Sequence, residues 1–211
     1  MNQPARKRDA EATQTAILET AQALFVEFGM DAVSMRNIAL QSGVTKSLIH
    51  HHFQTKEQLW CAVKERMFAE YAEMQMAIFD SMPGGPDMLR HTIRVYFNFV
   101  REHPEIVRLW CWTCLEGDAQ AGFVERQLIQ RGVAKLSEAQ EKGLLRADVN
   151  PMLLIVQLVG MTNQWFLARE RYQMWAEPSG EQPNNWDELF LAQFERLFID
   201  GVSPSDNETS S

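Results

Sequence analysis

Residues 34–56, SMRNIALQSGVTKSLIHHHFQTK, constrain the fold of this chain more than any other segment. They contain three basic residues, three histidines and no acid, in a chain of net charge −8. The nearest carboxylates on either side belong to Asp31 and Glu57. Two short stretches with apolar residues at helical spacing meet at Gly43, which predicts two short helices joined by a tight turn. Such a pair is the outline of a helix-turn-helix, whose second helix enters the major groove of DNA.

The charge of the chain is unevenly distributed. Residues 1–60 carry six basic and six acidic residues, whereas residues 61–211 carry 14 basic and 22 acidic ones. The excess negative charge therefore lies beyond residue 60. Because salt screens exposed charges over about 10 Å, phosphate binding depends on the local field and not on the total charge. The overall acidity does not exclude a nucleic-acid partner.

Length and composition predict a soluble, cytoplasmic protein. A chain of 211 residues that is 45% hydrophobic can bury a sizeable core in one or two domains. No apolar run approaches the ~20 residues that a membrane span needs, and no apolar stretch at the N-terminus predicts a secretory signal. The cysteines, Cys61, Cys111 and Cys114, are too few and too odd in number for a disulfide framework, which favours reduced thiols.

Helical periodicity covers nearly the whole chain, so the predicted fold class is all-α with about nine helices. No alternating run of useful length predicts a strand. Gly29 is placed to end the first helix, and Ser34, Thr45 and Thr55 can cap the next three. The predicted elements are helices over about 10–28, after 34, after 45, after 55, and over 87–102, 105–116, 118–142, 150–172 and 186–200, with a loop over 176–185 and a disordered tail over 203–211.

The segment SMRNIALQSGVTKSLIHHHFQTKEQLW resembles the DNA-binding segment of TetR-type transcriptional regulators. The residues that carry the resemblance are Ser34, Ile38-Ala39, Gly43-Val44-Thr45, Phe53 and Lys56-Glu57-Gln58-Leu59. With the preceding helix, the resemblance covers residues 10–60. Farther along it rests on helix order and on two shorter phrases, HPEIVRLW and GLLRADVNP. It implies a three-helix DNA-binding domain over 10–56 and a helical ligand-binding and dimerisation domain over 57–202.

Ten side chains of the motif are predicted to contact DNA. Lys46 is placed to reach a base edge, guanine being the favoured base, and Arg36 lies where this family often reaches a base. The family usually has tyrosine at the position of His50, and a histidine ring can also donate to phosphate. Lys56 is predicted to clamp phosphate. The candidates are Ser34, Arg36, Thr45, Lys46, Ser47, Leu48, His50, His51, His52 and Lys56.

Three other features have competing interpretations. Consecutive histidines suggest a metal, but adjacent helical residues point about 100° apart and helical metal sites use i, i+4 spacing, so DNA contact or packing explains them better. Cys111 and Cys114 form a C-x-x-C without a second pair, which favours two buried thiols and leaves a redox role open. The basic residues at 6–8 form a solvated tail or contact the minor groove. No metal and no cofactor is predicted.

The resemblance also implies an effector cavity and a two-fold dimer. Aromatic residues at helical spacing are core by default, but the group in the C-terminal helices suits a ligand cavity. Its predicted wall consists of Phe97, Trp110, Cys114, Met161 and Trp165. The last two helices carry more apolar surface than one chain needs, which predicts a four-helix bundle between two copies. The predicted interface consists of Leu158, Val159, Phe166, Phe190 and Phe194.

These features predict a ligand-responsive homodimer that binds double-stranded operator DNA. A repressor released by a small molecule is favoured, and an activator stays open. The alternative is a small-molecule-binding or enzymatic all-α protein without a DNA function. Against an enzyme, the sequence has no recognisable Ser/His/Asp set, no carboxylate pair with a pocket and no phosphate-cradling glycine loop. An interaction module with an acidic helical surface would not explain the acid-free window.

Overall fold

The structure is a computed structural model that describes residues 3–118, 122–176 and 185–204, with side chains from residue 10 onward except that of residue 123. The described residues form nine α-helices and no strand, which confirms the all-α prediction. The predicted tail from 205, the loop residues 177–184 and the basic side chains at 6–8 lie outside this description. The helices are α1 (Gln3–Ala32), α2 (Met35–Ser42), α3 (Lys46–His52), α4 (Lys56–Ser81), α5 (Pro86–Glu102), α6 (Glu105–Leu115), α7 (Phe123–Glu141), α8 (Pro151–Ala176) and α9 (Trp186–Val202).

The predicted helix starts coincide with side-chain caps. The side chains of Ser34, Thr45, Thr55 and Asn150 accept backbone N–H groups in the first turns of α2, α3, α4 and α8 at 3.1, 3.4, 3.2 and 2.9 Å, respectively. Each bond satisfies an N–H group that has no partner within its own helix. The predicted end of the first helix also has a structural counterpart, because Gly29 interrupts α1 with φ 79° and ψ 171°.

Two compact units divide the chain. The first comprises Met1–Ala69 and Glu105–Phe123, and the second comprises Glu70–Pro104 and Val124–Ser211. The first half of α4 and the whole of α6 therefore belong with the helix-turn-helix. Local periodicity could not predict this grouping, because it depends on contacts between distant segments. The boundary predicted between residues 56 and 57 separates a DNA-binding domain from a ligand-binding and dimerisation domain, and it stays a prediction.

The core of the first unit packs α2 against α1 and α3 against α2. Ile38 of α2 and Ile49 of α3 are fully buried, and Phe53 at the end of α3 is 6% exposed. Phe25 of α1 packs edge-on against Trp60 of α4, with 5.2 Å between ring centroids. Each fully buried large apolar side chain contributes roughly 1.5–3 kcal/mol relative to exposure. The short helices of the motif are thus held by packing and not by their own length.

The core of the second unit contains a chain of aromatic rings from α5, α8 and α9. Phe97 lies 4.8 Å from Phe166, and Trp165 stacks on Phe190 at 4.4 Å between centroids. Phe190 continues to Phe194 at 5.9 Å. Aromatic pairs at these separations stabilise a core beyond the area they bury. The three helices are therefore tied together within a single chain.

Helix α8 differs from the sequence expectation about membrane spans. Its length and its mean hydropathy of 1.2 reach the range of a membrane-crossing helix, and 33% of its most apolar window is buried within the chain. Leu154, Leu158 and Trp165 face the core, whereas Leu153 and Val156 are more than half exposed. A core helix of a soluble protein has the same composition.

Candidate nucleic-acid interface

The turn between α2 and α3 is built on Gly43. This residue closes α2 in the left-handed conformation, with φ 69° and ψ 10°. A Cβ at this position would meet nothing within 4 Å, so the backbone conformation and not the available space selects glycine. The turn directs α3 outward from the surface of the first unit.

The structure places the predicted DNA-contacting residues on one continuous segment of the surface. Arg36 projects from α2 and Lys46 from the first turn of α3, and both are exposed. Leu48 is 38% exposed, which suits contact with a thymine methyl group or with sugar carbons. No acid occurs in α2 or α3, and Arg36 and Lys46 give these two helices a positive formal charge, which favours phosphate. The exposed candidates are Ser34, Arg36, Thr45, Lys46, Ser47, Leu48, His50 and His51, and the half-buried ones are His52 and Lys56.

The three consecutive histidines occupy different environments. The Nδ1 atom of His50 lies 3.1 Å from the carbonyl oxygen of Gln54, so this ring closes the end of α3. The ring of His51 lies nearly perpendicular to that of His52, at 76° and 5.6 Å between centroids. Because a carbonyl oxygen only accepts, Nδ1 of His50 carries the proton of its contact with Gln54, and Nε2 can donate to phosphate only when both ring nitrogens are protonated.

Lys56 has a structural partner that sequence reasoning missed. Its Nζ donates to the carbonyl oxygens of Met30 and Asp31 at 3.0 and 3.4 Å. A phosphate contact would therefore use the remaining N–H of this ammonium group. Lys56 also ties the start of α4 to the end of α1, which fixes the position of the helix-turn-helix between them.

Three side chains spaced four residues apart, two in α6 and one directly after it, contact the same end of α1, and we call them the clamp. Arg108 donates to the carbonyl oxygens of residues 26 and 27 at 3.1 and 3.2 Å, and Trp112 Nε1 donates to that of residue 26 at 3.2 Å. Glu116 accepts the N–H groups of Met30 and Asp31 at 3.2 and 3.0 Å. Cationic and N–H donors thus meet helix carbonyls, as the dipole favours at a helix C-terminus, and the carboxylate is held by charge-assisted hydrogen bonds to the N–H groups after Gly29.

The clamp requires glycine at position 29. A Cβ there would lie 2.5 Å from Glu116 Oε1 and 2.7 Å from the ring of Trp112. The positive φ of Gly29 adds backbone strain for any other residue. The sequence signal for this contact was the spacing of Arg108, Trp112 and Glu116 on one face of a predicted helix, but their partner could not be read from that spacing.

We expect Glu116→Ala to loosen the end of α1 and to weaken operator binding. The change removes two charge-assisted bonds to backbone N–H groups, which is expected to cost about 1–2 kcal/mol of stability. Thermal unfolding and operator affinity are the measurements. Glu27→Ala removes the same charge from an exposed position of α1 and is the control. Equal behaviour of the two variants would show that the clamp does not position the helix-turn-helix.

A buried ion pair joins α4 to the segment after α6. Lys64 Nζ donates to Asp118 Oδ2 at 2.6 Å, and their side chains are 7% and 13% exposed. Trp60 Nε1 donates to the same oxygen at 2.6 Å. Asp118 itself is fixed because its N–H closes the end of α6 on the carbonyl oxygen of Thr113 at 3.0 Å. This pair is a second connection between α6 and the rest of the first unit.

The predicted effector-wall residues are divided between the two units. Phe97 and Trp165 are buried in the second unit, and Met161, on the same helix as Trp165, is 42% exposed. Trp110, which is half-buried, and Cys114, which is exposed, belong to the first unit. An effector site within the second unit is therefore built without Trp110 and Cys114.

The cysteines of α6 are not the two buried thiols that the sequence favoured. Cys111 is half-buried and Cys114 is exposed. Burial raises the pKa of the Cys111 thiol above its ordinary value. Since the thiolate is the reactive form, this shift slows oxidation at neutral pH.

The predicted dimer residues differ in their exposure. Leu158 and Phe194 are 4% and 2% exposed and lie in the core of their own chain, so they are not available to a partner. Val159, Phe166 and Phe190 are half-buried. Periodicity did not separate inward from outward positions because α8 is apolar on both faces. The apolar side chains that α8 and α9 leave more than about two-fifths exposed are Met152, Leu153, Val156, Met161, Leu167, Met174, Trp175, Leu189 and Leu197.

Comparison with known proteins supports the class of protein that the fold and this surface define, a helix-turn-helix transcriptional regulator. The family described as bacterial regulatory proteins, tetR family, matches residues 17–63. The family described as tetracyclin repressor-like, C-terminal domain, matches residues 87–187. The HTH-type transcriptional repressor SCO4008 of Streptomyces coelicolor is 31% identical over 159 residues, covering 74% of this chain and 79% of that protein. The chain belongs to the TetR family of transcriptional regulators.

Other relatives cover nearly the whole chain. The HTH-type transcriptional regulator RutR of Escherichia coli K12 is 27% identical over 209 residues, which cover 94% of this chain and 94% of that protein. A TetR family regulator from Marinobacter aquaeolei has the same fold, with a TM-score of 0.69 and 19% identity over 95% of this chain and 100% of that one. AibR, solved in complex with isovaleryl coenzyme A and operator DNA, gives a TM-score of 0.62 and 22% identity, covering 89% and 98% of the two chains.

Proposed function

We propose that this regulator is a homodimeric repressor that binds a two-fold symmetric operator and releases it when a small effector binds. The observation that carries the proposal is the exposed, acid-free surface of α2 and α3, in which Arg36 and Lys46 project outward. Its homologue SCO4008 is named a repressor, and AibR was solved with both an acyl coenzyme A and operator DNA. We assign DNA binding to residues 10–56, and effector binding and dimerisation to residues 57–202.

The dimer is proposed to form through the exposed apolar faces of α8 and α9. Leu153, Val156 and Leu167 of α8 and Leu189 and Leu197 of α9 are each 47–57% exposed. The outward face of α8 also carries Gln157, Gln164 and Arg171, which suits a protein interface better than a lipid bilayer. A two-fold axis would place two copies of α3 about one DNA turn, roughly 34–36 Å, apart. The proposed site of action is the cytoplasm, where the DNA is, and no catalytic role is assigned.

The effector is proposed to bind within the second unit. Phe97 and Trp165 are buried there and are proposed to line the site. A ligand releases the operator only if it binds the DNA-incompetent state more tightly than the competent one. Operator DNA must then weaken effector binding by the same factor.

Replacing Lys46 tests the proposed reading surface. If Lys46 contacts a base edge, Lys46→Ala is expected to weaken operator binding by about 1–3 kcal/mol and to relax sequence preference at one position of each half-site. Fluorescence anisotropy with the parent operator and its single-base variants is the measurement. The control is Lys142→Ala, which removes the same charge from an exposed position directly after α7. If Lys46→Ala and Lys142→Ala bind alike, α3 does not read bases through Lys46.

A further inference from the structure

A layer of buried polar side chains crosses the second unit and joins three of its helices. Gln75 of α4 and Tyr96 of α5 are 1% and 3% exposed, and Thr162 and Asn163 of α8 are fully buried. Gln75 Nε2 donates to Thr92 Oγ1 at 2.9 Å, and the Tyr96 hydroxyl donates to Asn163 Oδ1 at 3.0 Å. A polar layer in the middle of an apolar helical core is costly unless its groups are paired.

Helices α4 and α5 run antiparallel along this layer. Gln75 contacts Thr92, and one turn away in each helix the ring of Tyr71 lies 5.1 Å from that of Tyr96. Burial raises the pKa of Tyr71 and of Tyr96 well above the ordinary value for tyrosine. Both hydroxyls therefore stay protonated, and the layer is uncharged at neutral pH.

Apolar contacts close the layer on one side. One turn beyond Gln75 on α4, Phe79 is 5% exposed. A Cβ built on Gly132 of α7 would lie 3.5 Å from Phe79 and 3.1 Å from Ile155 of α8. The absence of a side chain at Gly132 thus lets α7 approach α4 and α8 closely. Water reaches the polar layer with difficulty from this direction.

Three atoms of the layer have no hydrogen-bond partner among the described residues. They are Gln75 Oε1, Thr162 Oγ1 and Asn163 Nδ2. Buried polar atoms of folded proteins almost always have a partner. A helical threonine can use the carbonyl group four residues earlier, as Thr113 does with Leu109 at 2.9 Å. Thr162 makes no such bond, so its hydroxyl is available to another partner.

We propose that Gln75, Thr162 and Asn163 form the polar end of the effector site and that the effector carries a neutral amide group. Gln75 Oε1 accepts, Asn163 Nδ2 donates, and the Thr162 hydroxyl can do either. A carboxamide or lactam offers an N–H donor beside a C=O acceptor and so complements this set. No charged side chain belongs to the layer, and the charge that acts on Tyr96 is that of the Glu125 carboxylate, so an anionic ligand would lose its hydration without a cationic partner. This assignment rests on the proposed function, since it names the ligand class of the same regulator.

The proposal is tested by the thermal stability of the full chain in the presence of benzamide, benzoate and toluene. These probes share a ring and differ in carrying an amide, a carboxylate or an apolar group. Benzamide is expected to raise the melting temperature in a concentration-dependent manner, and to do so more than benzoate or toluene. An equal or smaller effect of benzamide would overturn the proposal.

A threonine-to-valine pair separates ligand recognition from structural support. Thr162→Val removes an unpartnered hydroxyl, so the ligand-free melting temperature should stay the same or rise, while the apparent affinity for benzamide falls about fivefold. Thr113→Val, the control, loses a made hydrogen bond in the first unit and should keep the benzamide affinity. Unchanged benzamide affinity in Thr162→Val would also overturn the proposal.

Operator binding by the parent protein is measured in a separate experiment, so that the amide site and the proposed function can fail independently. Salt-dependent operator binding without an amide-specific stabilisation would reject the amide site and leave the proposed function standing. Amide-specific stabilisation that depends on Thr162, in a protein that binds no duplex DNA, would reject the proposed function and leave the site standing.

Discussion

Replacing Val156 or Leu197 by arginine is expected to convert the proposed dimer into a folded monomer that no longer holds its operator. These side chains of α8 and α9 are 51% and 56% exposed in the single chain, so arginine there should not disturb the monomer's fold. In a dimer, the two-fold axis would bury two such charges without partners. Dimer affinity is expected to fall by about 100-fold or more, equivalent to about 2.7 kcal/mol.

Sedimentation velocity and circular dichroism are the measurements for this prediction, with operator affinity as the functional readout. Leu144→Arg places the same charge on a leucine of the second unit that is 40% exposed and lies outside α8 and α9. This control should remain dimeric. The account of the interface is contradicted if the parent protein is a monomer, or if both interface variants sediment as dimers.

Removing the carboxylate of Asp118 is expected to destabilise the first unit by about 3–5 kcal/mol. Lys64, 5% exposed, would lose the carboxylate oxygen that lies 2.6 Å from its ammonium group. Trp60 Nε1 would lose the acceptor of its hydrogen bond at the same time. An ammonium group buried to this degree does not regain its hydration when a carboxylate at 2.6 Å is removed, and this explains the size of the expected loss.

Urea unfolding of Asp118→Ala at fixed protein concentration measures this loss. Glu138→Ala breaks the exposed pair with Lys142, whose side chains are 49% and 55% exposed, and should leave stability nearly unchanged. A loss for Asp118→Ala no greater than that for Glu138→Ala would mean that the buried pair does not hold α6 to α4.

The helix-turn-helix could be predicted from sequence because its determinants are local. Caps at Ser34 and Thr45 act on residues two or three positions away, and Gly43 sets the turn by its own backbone conformation. An acid-free surface is likewise visible in the order of the residues. Predictions of helix type and helix order therefore agreed with the structure.

Contacts between distant segments could not be predicted in the same way. Glu116 and the N–H groups it accepts are 85 and 86 residues apart, and periodicity does not say which helix faces which. Helix α8 is apolar on both its core face and its outer face, so spacing alone assigned Leu158 to a partner when it packs inside its own chain. The buried polar layer at Gln75 and Asn163 was missed for the same reason, since nothing local distinguishes its amides from exposed ones.

Selection of bound duplexes from a random pool, followed by titration of the selected operator with salt, tests DNA recognition most directly. The account predicts a two-fold symmetric site and an affinity whose logarithm falls steeply and linearly with the logarithm of salt concentration, with a slope of about −0.9 per neutralised phosphate. Lys46→Ala should lower the affinity for that site. No enriched sequence, or a slope near zero for the parent protein, would contradict the assignment of α2 and α3 as the DNA-binding surface.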